Sequence, residues 1–93
     1  MNLSLVPVPA FLPEETLCSI LEIAAQVLIS QTDCDVIQEA TTIRSCAKLI
    51  AASPTTIQFH IALRRATEQM IEAMRRKKQN NNELADRLEE ILN

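Results

Sequence analysis

The 93-residue chain contains no glycine, and that absence restricts its fold more than any other feature. Without glycine there is no low-cost route to positive φ, which disfavours tight hairpins, G1 bulges and phosphate-cradling loops. Helices joined by short polar turns need glycine least, so the expected fold class is all-α. The apolar content of 47% excludes a disordered chain. Only two residues are aromatic and many of the apolar ones are alanine, so the core must be built from Leu, Ile, Val and Met. At this length one domain is the ceiling.

Proline and capping residues divide the chain. Residues 1–12 alternate apolar positions with Pro7 and Pro9, and each proline steers its predecessor toward extended backbone, so this stretch reads as an extended apolar arm. Pro13 followed by Glu14 and Glu15 marks a first helix running to about Ser30, because the missing N–H costs nothing there and acids favour the positive end of the helix dipole. Its apolar residues go nearly all round the helix, which calls for cover from more than one side. Thr32 or Asp33 should cap the next helix, whose seam reads Val36, Ala40, Ile43, Ala47 and Ile50. Ser53-Pro54 ends that helix and begins a third. The helical body is expected over 13–78, with residues 79–93 a C-terminal helix or helix extension.

Two signals compete at Asn80, Asn81 and Asn82. Three asparagines weaken a helix, and Asn82 suits an N-cap, which predicts a break and a short helix from Glu83 to Leu92. Phase points the other way. Leu63, Met70, Lys77, Leu84 and Ile91 are spaced by seven, and Thr67, Met74, Asn81 and Leu88 follow four behind, so the apolar stripe keeps one face across the asparagines. The phase favours one helix over 54–92, about 60 Å long at about 1.5 Å per residue. Such a helix outruns a small globule and would need another chain to pack its end. Asn81 would then sit on the seam and fix register.

Chemistry-bearing residues are sparse. Arg64, Arg65, Arg75, Arg76, Lys77 and Lys78 form a basic cluster that offers an anion or nucleic-acid contact. Glu68 and Glu72 lie between its two parts, no aromatic residue interleaves to stack on bases, and the net charge is −3, which favours solvated surface or pairing with acids of the 83–90 segment. His60, the only histidine, has no nucleophile or carboxylate at a useful spacing and reads as a surface or boundary residue. Cys18, Cys34 and Cys46 make an odd set with no CxxC pair, so neither a disulfide framework nor a zinc site is implied and packing roles are expected. No calcium-loop spacing occurs, and no cofactor is implied. Pro7, Pro9 and Pro13 interrupt the N-terminal apolar stretch, and no other stretch reaches bilayer length, so a soluble, cytoplasmic protein is expected.

The apolar arm, the first helix and the long stripe together offer more apolar surface than a few short helices can bury. The expectation is a helical hairpin or a small three- to four-helix bundle with a long C-terminal helix. It is a non-enzymatic interaction module of adaptor, assembly-factor, chaperone or accessory-subunit type, working through a protein partner or a homo-oligomer. Leu21, Leu28, Leu63, Met70, Met74, Leu84, Leu88 and Ile91 are the expected interface. The alternative is a small nucleic-acid-binding or transcription-modulating protein using the Arg64–Lys78 face.

Overall fold

The computed structural model describes residues 11–77 and 82–93, which form four α-helices: α1 Glu14–Ser30, α2 Cys34–Ala52, α3 Ile57–Lys77 and α4 Asn82–Leu92. Among the described residues there is no strand. The ends of α1 and α2 do without glycine because their flanking residues take negative φ. Gln31 (−100°) closes α1, Asp33 (−75°) opens α2 and Ser53 (−145°) closes α2.

Local chemistry sets the helix ends. Pro13 stands just ahead of α1, and its carbonyl accepts the first helical bond from the Leu17 N–H at 3.0 Å. Of the two candidate caps for α2, Asp33 takes the role: its Oδ1 accepts from the Asp35 and Val36 N–H groups at 3.0 and 3.2 Å. The third helix begins later than Ser53-Pro54 predicts. Residues 53–56 instead close a turn, in which the Thr56 N–H reaches the Ser53 carbonyl at 3.1 Å and the two side-chain hydroxyls lie 2.6 Å apart. Helix geometry starts only at Ile57.

The 54–92 helix is corrected. The chain reverses between Lys77 and Asn82, and α4 lies antiparallel on α3, with Arg75 bonded to Asp86 and the Arg64 guanidinium 3.4 Å from the Leu92 carbonyl oxygen. The described residues span 43 × 30 × 19 Å, too short for such a helix. Folding back lets the two halves of the stripe cover each other, and burying Leu84, Ala85 and Leu88 outweighs the few helical bonds that a break gives up. The seam role expected of Asn81 lies outside the described residues, as do the first ten residues of the arm.

Each helix packs on the next in chain order, and α4 returns to α1, so the four surround one core. The α2–α3 pair is antiparallel: Asp35, Gln38 and Glu39 near the start of α2 share a groove with Gln69, Glu72, Ala73 and Arg76 in the second half of α3. Into the core α1 sends Ile20, Ile23, Ala24 and Val27; α2 sends Val36, Ala40, Ile43, Cys46 and Ile50; α3 sends Leu63, Ala66, Met70, Ile71, Ala73 and Met74; α4 sends Leu84, Ala85 and Leu88. A buried alanine on every helix narrows the gaps between axes, which accounts for much of the alanine content. The α2 seam runs through Cys46, while Ala47 is half-buried.

Candidate interaction surface

Helix α1 carries two apolar faces, and the bundle covers one. Ile20, Ile23, Ala24 and Val27 point inward. About a third of a turn round the helix, Cys18, Leu21, Ala25 and Leu28 recur at 3-4-3 spacing, the period of a helix-pairing seam. Leu21 and Leu28 are half-buried at the rim of the core, Cys18 and Ala25 are exposed, and Ile29 beside them is 86% exposed. An apolar arc this wide exceeds what a helix needs to dock on one bundle.

The rim of this face has a charge pattern. Leu28 shares a groove of about 160 Å³ with Thr41, Arg44, Ser45 and Lys48 of α2. Arg44 and Lys48 lie one turn apart, both are exposed, and no carboxylate among the described residues ion-pairs with either. The acids of α1 sit at its other end, as Glu14 and Glu15 in the first turn, with Glu22 beside the stripe.

Of the other residues expected at an interface, Leu63, Met70, Met74, Leu84 and Leu88 are buried inside this chain, and Ile91 is half-buried against the same core. Their surface is therefore internal. Leu21, Leu28 and Ile91 keep part of their surface outside the bundle.

The basic cluster is scattered. Arg75 donates to Asp86 at 2.9 Å and also to Glu89, and its guanidinium is pushed above its ordinary range, first by the bond to Asp86. Arg64 leans on the Leu92 carbonyl. Arg76 lines the groove that also holds Asp35, Glu39 and Glu72, while Arg65 is exposed. Lys77 is the last residue of α3, and Lys78 lies outside the described residues. Among the described residues, Arg75 and Arg76 thus have carboxylates as neighbours.

Two readings of single residues are corrected. His60 is 3% exposed, not a surface histidine: its Nδ1 accepts from the Leu12 N–H, its Nε2 faces the Pro54 carbonyl oxygen, and Phe11 meets its ring edge-on with centroids 5.0 Å apart. Of the cysteines only Cys46 is a packing residue, and burial pushes its thiol up, whereas Cys18 and Cys34 are exposed. Sequence reasoning missed Arg44 and Lys48. Their signal was that they are the only bases before residue 54 and stand four apart, but only the fold brings them beside Leu28.

No helix of the described residues is long and apolar enough to cross a membrane, and no group of three or more His, Cys, Asp or Glu among them is placed to hold a metal ion. Compared with known proteins, the chain matches no protein-family model, no curated protein and no solved structure.

Proposed function

We propose that this chain is a non-enzymatic interaction module, of adaptor, assembly-factor or chaperone type, that receives a helix of another chain on the outward face of α1. The observation that carries this reading is the second stripe, Cys18, Leu21, Ala25 and Leu28 with Ile29 beside it, left outside the buried core. A helix presented at the same spacing gains apolar burial at about 25 cal/mol per Å². A non-catalytic role is supported by His60, both of whose ring nitrogens are engaged in holding the chain together. Three free thiols suit a reducing, cytoplasmic setting.

The test places a photo-crosslinking side chain at exposed Gln26, at the border of the stripe. In extract of the source cells it should give a discrete protein adduct that survives high salt and is lost when Leu21→Asp and Leu28→Asp are added. An adduct indifferent to those two substitutions would sink the reading. Nucleic-acid binding that weakens steeply as salt rises would favour the alternative through the Arg64–Lys78 segment.

A further inference from the structure

We infer that His60 is the catch of an acid-sensitive strap: the neutral ring holds Phe11 and Leu12 against the bundle, and protonation of that ring lets them go. This goes beyond the docking face on α1 and does not depend on it. His60 lies in the first turn of α3 and is 3% exposed, and its partner Leu12 is buried as well. Three contacts meet at the ring. Nδ1 accepts from the Leu12 N–H at 3.1 Å, Nε2 lies 2.9 Å from the Pro54 carbonyl oxygen, and Phe11 stands edge-on with centroids 5.0 Å apart. The carbonyl only accepts, so Nε2 carries the ring hydrogen and the arrangement requires the neutral form. Imidazole is also the side chain that gains a charge on mild acidification.

Protonation puts a hydrogen on Nδ1, where the Leu12 N–H already points, and sets donor against donor across one gap. Among the described residues no ion pair or hydrogen bond joins the ring to a carboxylate that could receive the new hydrogen. On α1, Glu14 and Glu15 follow Leu12 by two and three residues and are exposed; on α2, Lys48 is exposed near the helix end. On α3, Arg64 stands one turn further on and donates toward the Leu92 carbonyl. On α4, Glu89 is bonded to Arg75 and Glu90 is exposed, and the 53–56 turn has no titratable side chain. Two helix ends add to the effect. Leu12 comes two residues before α1 and His60 sits in the first turn of α3, so an imidazolium here meets the positive ends of two helix dipoles. A buried cation without a partner is costly, and the strap is the part that yields, because it lies outside the helices and hangs on one backbone bond. Its opening uncovers Leu12 and the core wall behind it while the four helices stay packed.

The test is an acid titration of the isotopically labelled full chain followed by NMR, which reads the His60 ring nitrogens and the amide exchange of Leu12 in one sample. Near neutral pH the ring should be the Nε2–H tautomer and the Leu12 amide should be protected. As the ring takes up its proton, exchange at Leu12, corrected for its ordinary pH dependence, should rise by about ten-fold or more with the same midpoint. The amides of Ile43, Leu63 and Met70, inside α2 and α3, should stay protected through that step. His60→Gln offers an acceptor and a donor but does not titrate, so it should keep Leu12 protected throughout. A Leu12 amide that stays protected once the ring is charged overturns the inference. So does a ring that stays neutral until the core amides are lost, and so does loss of Leu12 together with them. An unchanged Leu12 transition in a folded His60→Gln chain overturns it too, by assigning the step to another group such as Glu14 or Glu15. If His60→Gln fails to fold, the wild-type titration decides alone.

Discussion

The backbone N–H of Leu12 donates to Nδ1 of His60, forty-eight residues further on, at 3.1 Å. The second ring nitrogen, Nε2, lies 2.9 Å from the Pro54 carbonyl oxygen. A carbonyl only accepts, so the hydrogen of the ring sits on Nε2 and Nδ1 is the bare acceptor. One neutral imidazole thus ties the entry to α1 to the turn that precedes α3. His60→Ala removes both partners and the edge contact with Phe11. It should cost about 2 to 4 kcal/mol, the scale for a buried donor left unpaired together with a cavity. Urea unfolding measures it, and a change below about 0.5 kcal/mol would show the bridge to be unimportant.

The α3–α4 stripe is predicted to behave as core. Leu88→Ala should destabilise the isolated chain by about 2 to 5 kcal/mol, because Leu88 is fully buried. Leu84→Asp with Leu88→Asp should unfold at least α4, whereas the Leu21→Asp, Leu28→Asp chain should keep its helicity. If the two double variants were equally helical by circular dichroism, the division into core stripe and outward stripe would be wrong.

Capping at Asp33 gives a third expectation. Asp33→Ala should cost about 1 kcal/mol, since Oδ1 holds two first-turn N–H groups. Thr32→Ala, at an exposed residue outside the helix, should change stability by only a few tenths of a kcal/mol. Equal effects in chemical denaturation would contradict the assignment of the cap.

Alkylation separates the cysteines. At neutral pH, Cys18 and Cys34 should react readily and Cys46 only as the bundle opens, because burial both shields its sulfur and raises the pH at which its thiolate forms. Mass spectrometry should therefore show two fast adducts and a third that appears with denaturant. A third adduct as fast as the first two would contradict the burial of Cys46.

The sequence-level reading reached the all-α class, the stops at Ser30 and Ser53, and a cap at Thr32 or Asp33, because each rests on chemistry within a few residues. It went astray where the outcome depends on distant partners. The seven-residue phase from Leu63 to Ile91 is the same whether the chain runs straight or turns back, so periodicity reported that the stripe exists and not what covers it. Contact with α1 and α3 decides that, and α4 reaches both only by reversing. Likewise Cys46 and Ala47 are neighbours that share a helical face, and the approach of adjacent helices, not the spacing, selects Cys46 for burial. The role of His60 needed the turn at 53–56, which sets the Pro54 carbonyl within reach of the ring. Of the candidate interface, Leu21 and Leu28 were legible from the all-round apolar character of α1. The charged ends of that surface were not, because they combine the first turn of α1 with the middle of α2.

Photo-crosslinking from position 26 in the wild type and in the Leu21→Asp, Leu28→Asp variant, with helicity checked on the same samples, tests the central claim most directly. The account predicts a discrete protein adduct for the wild type and none for the variant, with both chains fully helical. Identical adduct patterns for the two proteins would contradict it.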